Sequence, residues 1–252
     1  MIRAVTFDLW DTVIHDDSDE PKRAAQGLRS KKEARRQLLW EALDSEAPIT
    51  PEEVWLACDT TDAAFNHVWH DQFVTWSVSE RLEVVLVGLG RKLPGPVLEN
   101  VVRQYEEMEV TVAPDMIDGV AEAIAELAVD FPLAVVSDAI VSPGRCLRQW
   151  LEMNDILDHF TGFAFSDEVG RSKPHRDMFA RAATEMGVAI NEMVHVGDRD
   201  HNDIKGAQAL GMKAILFTGT RDIDRDITSA DAICTHHREL PGVIRRLVST
   251  GQ

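Results

Sequence analysis

Acidic and hydroxyl side chains recur in this sequence at one kind of place, just beyond a short apolar run. The run at residues 2–7 leads into Asp8, with Thr12 four residues later. The run at 133–137 ends in Ser137, with Asp138 next. The run at 162–166 ends in Ser166, with Asp167 next and Lys173 a few residues on. The run at 193–197 leads into Asp198 and Asp203. In open parallel sheets, ligands bind beyond the carboxyl ends of the strands. If these runs are strands of one sheet, carboxylates, hydroxyls and one lysine meet at a single edge. That is equipment for anion chemistry. A carboxylate is a competent nucleophile toward phosphorus, and Mg²⁺ takes oxygen ligands, usually one or two carboxylates with water and phosphate. A lysine offsets the charge such a site gathers.

The elements that must position these groups follow from the pattern. Apolar, β-branched runs at 2–7, 133–137, 162–166, 193–197, 213–217 and 231–234 read as strands. Helical spacing is read at 116–128, 143–152, 175–187, 202–210 and 239–248. Strands alternating with helices imply crossover connections and a parallel sheet. From 16 to 112 the sequence offers helices and no strand. One helix is expected over 22–46, with Leu28, Leu38, Leu39 and Leu43 near helical spacing. Thr50, Pro51 and Glu53 start a second, Ser77 and Glu80 a third, and a fourth follows the Pro94-Gly95-Pro96 break over 97–109. The expectation is an α/β core made of residues 1–15 and 113–252, interrupted by a helical unit at 16–112.

Composition narrows the class. The 252 residues are 44% hydrophobic, enough for a substantial core without disulfides or structural metal. With 26 Lys and Arg against 43 Asp and Glu, the net charge is −17. So acidic a chain is a poor nucleic-acid binder, and an anionic substrate needs a local cation. Three scattered cysteines, Cys58, Cys146 and Cys234, argue for a reducing compartment. No apolar stretch is long enough to span a bilayer, and the N-terminus reads as strand rather than signal peptide. The expectation is a cytoplasmic protein, monomer or homodimer, with no nucleic-acid or membrane partner.

The order and spacing of these groups resemble the haloacid dehalogenase (HAD) superfamily of hydrolases. Asp8-Leu9-Trp10-Asp11-Thr12 is similar to the first family motif, Ser137 to the second, Lys173 within GRSKPHRDMF to the third, and GDRDHND, with Asp198 and Asp203, to the fourth. The resemblance implies a Rossmann-like parallel sheet with helices on both faces and an inserted all-helical cap of the C1 type. It implies a Mg²⁺-dependent phosphatase that acts on a small phosphorylated molecule through an aspartyl-phosphate. Asp8 would be the nucleophile. Asp8, Asp198 and the backbone carbonyl of Trp10 would hold Mg²⁺, with Asp203 behind them. Ser137, the Asp138 N–H and Lys173 would hold the phosphate.

One position departs from the pattern. Phosphatases of this family usually carry a second Asp two residues after the nucleophile, as general acid and base, and here that residue is Trp10. Loss of such a group typically costs ~10²–10⁴ in rate. Asp11 should lie on the other side of an extended chain. A good leaving group or a cap residue (His15, His67 and His70 are available) could compensate. Dehalogenases of the superfamily also lack the second Asp and often carry an aromatic residue there, but they use no metal and do not keep the Gly-Asp of the fourth motif, present here as Gly197-Asp198. A phosphonatase-type reaction would need a cap lysine, with Lys22, Lys31 and Lys32 as candidates by type. A catalytically weak binding protein is the remaining alternative. Three further features have ordinary structural readings. The basic run from Lys22 to Arg36 reads as a solvated helix face, Phe65, Trp69, Phe73 and Trp76 as cap core, and His195 as a structural residue of a buried strand.

Overall fold

The computed structural model describes residues 1–250. Six strands form one fully parallel sheet: β1 (Ala4–Phe7), β2 (Leu133–Ser137), β3 (Gly162–Phe165), β4 (Met193–Gly197), β5 (Lys213–Phe217) and β6 (Ala232–Cys234), in the order β3-β2-β1-β4-β5-β6. Each falls within two residues of its expected place. β1 is central, and the chain reverses direction around it, so the edge beyond β1, β2 and β4 is the crevice of a doubly wound sheet.

Six helices lie between β1 and β2: α1 (Asp19–Ala25), α2 (Lys31–Glu46), α3 (Pro51–Gln72), α4 (Val78–Gly88), α5 (Gly95–Glu106) and the short α6 (Met108–Thr111). The rest follow in the sheet region: α7 (Val120–Asp130), α8 (Gly144–Met153), the short α9 (Ser166–Val169), α10 (Arg176–Met186), the one-turn α11 (Gly206–Gln208) and α12 (Leu240–Thr250). Among the described residues, no helix is long and apolar enough to cross a membrane.

Strand periodicity sorts side chains onto two cores. Val5, Phe7, Val135, Val194, Val196 and Phe217 face a large-residue layer with Ile124 and Leu127 of α7, Trp150 of α8 and Ile244 of α12. Ala4, Ala134, Val136, Ala164, Met193 and Ala214 face α10, through Met178, Phe179, Ala182 and Ala183. The small residues of that second face let α10 approach closely. Helices α2 to α5 bury a third cluster among themselves, including Leu39, Leu43, Val54, Leu82 and Val101.

Three helices differ from expectation. The 97–109 helix is two, α5 ending at Glu106 and α6 starting at Met108. The 22–46 helix is two: Gly27 adopts φ 71°, and Ser30 with Glu33 forms a capping box that starts α2 afresh. The 202–210 helix is a wide i→i+5 turn over Asp200–Lys205 followed by α11. Such widened turns are frequent at functional sites, and this one carries Asp203.

Candidate active site

Parallel pairing places the ends of β1, β2 and β4 side by side. The Asp8 amide continues the ladder by donating to the Val196 carbonyl at 2.9 Å, which fixes where the Asp8 side chain leaves the sheet. Lys173, on the loop before α10, ties the edge together. Its backbone N–H donates to Asp138 Oδ1 at 2.9 Å, and its Nζ donates to Asp8 Oδ1 at 2.6 Å and Asp203 Oδ1 at 2.7 Å. Asp203 is held from every side. Its Oδ1 also contacts His195 Nε2 at 3.2 Å, and its Oδ2 accepts the Arg199 N–H at 2.9 Å. His195 Nδ1 in turn meets Thr6 Oγ1 at 2.8 Å. Gly197 makes room for this packing, since a Cβ there would lie 2.3 Å from Asp203 Cγ.

The electrostatics are unbalanced. Carboxylate oxygens of Asp8, Asp198 and Asp203 lie within 4.8 Å of one another, all three residues buried, and among the described residues Lys173 is the one ammonium bonded to the cluster, through Asp8 and Asp203. Burial pushes the Asp203 carboxyl up, but Lys173 and His195 outweigh it and hold it well below the ordinary range. Burial also disfavours charge on Lys173, yet Asp203 and Asp8 reverse that and keep it protonated. Asp8 is raised by burial, against the pull of Lys173. Asp198 is pushed to about 8, by burial first and then by Asp203 and Asp8. Arg199 Nε and Arg221 stand 3.8 and 4.0 Å from Asp198 Oδ2. That oxygen is nevertheless buried without a hydrogen-bond partner. Clustered carboxylates with an unsatisfied buried oxygen are the donor set of a hard divalent cation, and the residues fit Mg²⁺.

Above the cluster lies a cavity of about 220 Å³. Asp8, Trp10, Asp138, Lys173 and Asp203 line it from the sheet edge, and Lys31, Arg35, Trp69 and Glu109 from the helical side. Ser137 and Asp198 are buried next to these residues but do not form the cavity wall. Ser137 Oγ, fully buried, has no partner. Asp11 does not line the cavity; its backbone is left-handed, with φ 56°. No histidine lines it. His67 is 72% exposed and pairs with Asp71, His70 packs beside Trp69, and His15 is exposed.

Among the lysine candidates, Lys31 does reach the cavity, but three carboxylates surround it: Asp19 at 2.8 Å, Asp17 at 3.1 Å and Glu109 at 3.6 Å. Burial opposes its charge, these partners more than restore it, and its pKa is raised. A lysine held charged is not a Schiff-base nucleophile. Lys22 binds Asp115 and the Ala113 carbonyl, and Lys32 is 69% exposed.

The basic run is a solvated face only in part: Arg29 and Lys32 are exposed. Arg23 and Lys31 are buried, and Arg35 donates two 2.8 Å bonds to Glu109. The aromatic set divides: Phe65 is core, while Trp69 reaches the cavity. His195 is the site residue that its sequence context concealed. A histidine inside a buried strand reads as packing, and its contact with Asp203 is visible only after folding.

The fold is a doubly wound parallel sheet with an acidic cluster and a lysine at its central crevice. A family model of haloacid dehalogenase-like hydrolases matches residues 2–211. The chain belongs to this family. Among its relatives, a glyceraldehyde 3-phosphate phosphatase of Methanothermobacter thermautotrophicus is 26% identical over 235 residues, 92% of this chain and 89% of that protein. The same-named enzyme of Pyrococcus furiosus is 32% identical over 115 residues, 42% of this chain. That match spans about half of the relative, 47% of its length. The phosphoglycolate phosphatase of Escherichia coli is 34% identical over 100 residues, 39% of this chain and 38% of that protein. Two solved structures share the fold. A 2-haloacid dehalogenase from Pseudomonas syringae pv. Tomato has TM-score 0.68 at 22% identity, covering 98% of this chain and 100% of that one. A HAD phosphatase from Thermococcus onnurineus has TM-score 0.64 at 20% identity, covering 96% and 98%. Both chemistries occur on this fold, so the site must choose between them.

Proposed function

We propose that this chain is a Mg²⁺-dependent phosphatase of small phosphorylated molecules, acting through an aspartyl-phosphate on Asp8. The observation that carries the reading is the buried charge deficit: three carboxylates against one lysine, with Asp198 Oδ2 unsatisfied. Asp8, Asp198 and the Trp10 carbonyl would hold the ion. Bound Mg²⁺ would neutralise charge on phosphate and carboxylates together. Lys173 Nζ orients the attacking carboxylate and shields its approach to an anion. Ser137 Oγ, buried with no partner, and the Asp138 N–H would receive phosphate oxygens. Asp203, fixed by His195 and the Arg199 amide, positions Lys173 and supports the ion from behind. A cavity of about 220 Å³ suits a small substrate.

In this proposal residues 16–112 are the cap, residues 1–15 and 113–252 are the core, and cap closure excludes water during transfer. Three free, buried cysteines suit a cytoplasmic setting.

Hydrolysis of 4-nitrophenyl phosphate with and without Mg²⁺, with Asp8→Asn as control, tests the reading. Mg²⁺-dependent turnover lost in the variant is the expected result. A second reading, 2-haloacid dehalogenase, draws on the aromatic Trp10 beside the cavity. Metal-independent halide release from 2-chloropropionate would establish it and overturn the first.

A further inference from the structure

The phosphatase reading leaves one function unassigned. A leaving alkoxide needs a proton, water must later lose one, and Trp10 can do neither. The cavity wall holds few carboxylates free to act. Asp203 accepts from Lys173, His195 and Arg199. Glu109 accepts two bonds from Arg35 and one from Ser142 at 2.6 Å. Asp17 is 74% exposed and paired with Lys31. Asp8 is the nucleophile. Asp16 and Asp138 remain. Asp16 Oδ1 holds the Asp17 N–H on the segment leading away to α1, beside the cap lysine Lys31.

Asp138 is placed differently. It directly follows Ser137 and is 9% exposed, with its side chain on the cavity wall. Its Oδ1 is anchored at 2.9 Å by the amide of Lys173, the residue whose Nζ holds Asp8. Its other oxygen has no hydrogen-bond partner among the described residues.

We infer that the Asp138 carboxyl is the general acid and base of this enzyme, in place of the Asp missing at Trp10. This rests on the phosphatase reading. In the first step Asp8 Oδ attacks phosphorus and the P–O bond to the leaving group breaks. The electron pair goes to the departing oxygen, which takes the Asp138 proton and leaves as an alcohol. In the second step the Asp138 carboxylate accepts a proton from water as the water oxygen attacks phosphorus. The bond to Asp8 breaks, its electron pair returns to the Asp8 carboxylate, and phosphate departs. Both groups are then restored.

The electrostatic setting suits this exchange. Burial pushes the Asp138 carboxyl up to about 7, opposed by Lys173 and assisted by Asp8 and Asp203. An acid and base poised near working pH is the effective arrangement.

The test compares kcat/KM for phosphoglycolate, with its alkoxide leaving group, and for 4-nitrophenyl phosphate, whose leaving group needs little protonation. The assays use wild type, Asp138→Asn and Asp16→Asn with Mg²⁺. Asn at 138 keeps the oxygen that Lys173 N–H binds. The expected result for Asp138→Asn is a loss of ~10²–10⁴ on phosphoglycolate and a far smaller loss on the aryl ester. A burst of nitrophenol and a phosphate mass on the Asp8 peptide should accompany it, because the second step has lost its base. Equal losses on both esters without a burst would overturn the inference and leave the phosphatase reading standing. The selective loss appearing in Asp16→Asn instead would do the same. Wild type inactive on both esters would remove the phosphatase reading and this inference with it. Should Asp138→Asn not fold, wild type decides alone. Across a series of aryl phosphates, kcat/KM should vary little with leaving-group basicity, and a steep decline would refute an acid in the site.

Discussion

Two buried ionic clusters face each other across one cavity, and they are built on opposite terms. On the helical side, the buried Lys31 and Arg35 meet the buried Asp19 and Glu109, two cations for two anions, with Ser142 closing the set and the exposed Asp17 reaching Lys31 from solvent. Burial pushes the Glu109 carboxyl up, yet Arg35 and Ser142 outweigh it and lower it. Asp19 Oδ2 is the one oxygen there without a partner. On the sheet side, Asp8 and Asp203 share Lys173, Asp198 Oδ2 has Arg199 and Arg221 no nearer than 3.8 and 4.0 Å, the Asp198 carboxyl is pushed to about 8, and Ser137 Oγ and Asp198 Oδ2 are unsatisfied. Buried charge that is balanced within the protein serves architecture. Buried charge that is left unbalanced marks a candidate ligand site. The same residue types at similar burial thus divide into framework and site by their balance alone.

The largest expected effect lies on the unbalanced side. Asp8→Asn removes the proposed nucleophile, and turnover of 4-nitrophenyl phosphate with Mg²⁺ should fall by about 10⁴-fold or more. Stability then sets the two clusters against each other. Glu109→Gln strands Arg35, while Lys31 keeps Asp19 and Asp17, and should cost about 3 kcal/mol in urea unfolding of the metal-free protein. Asp198→Asn should act with the opposite sign, adding about 2 kcal/mol to metal-free stability by relieving like-charge crowding. If both variants destabilise alike, the contrast between the clusters fails.

A buried titratable group outside both clusters supplies a pH test. His237 Nε2–H donates to the Thr12 carbonyl at 2.7 Å, its ring stacks on Phe217, and Nδ1 has no partner. A second proton would have no acceptor, and burial holds the pKa down at about 4. The unfolded chain therefore binds more protons than the native one as acid is added. Stability should be complete above pH ~6.5 and decline toward pH ~4, by on the order of 3 kcal/mol. His237→Gln should flatten that part of the wild-type profile, read by thermal unfolding between those pH values. The smallest effect is steric. Gly197→Ala crowds Asp203 and should cost about 1–3 kcal/mol, read as a lower Tm, with Asp203→Ala in the same background restoring part of it.

Much of this was legible in the sequence because burial on both faces of a parallel sheet writes short, uninterrupted apolar runs. Their ends are sharp, so the positions of Asp8, Ser137, Asp198 and Asp203 at one edge could be read directly. Lys173 needed the family pattern as well, since a loop lysine has no periodic signature. The balanced cluster was illegible. Arg35 and Glu109 are 74 positions apart, and nothing local distinguishes a buried arginine from a solvated one on a basic helix. The split at Gly27 was hidden for a related reason. Leucines on both sides keep helical spacing, which masks the Ser30 to Glu33 capping box between them. His195 was masked by its strand, where periodicity reports burial and not the polar partner behind it.

The central claim is that the sheet-edge cluster binds a divalent cation. The direct measurement is thermal unfolding of the metal-free protein during titration with MgCl₂, for wild type and Asp198→Asn. The account predicts that Tm of wild type rises with Mg²⁺ by mass action while the variant's stays flat. A wild-type Tm indifferent to Mg²⁺, or a response that survives in Asp198→Asn, would contradict it.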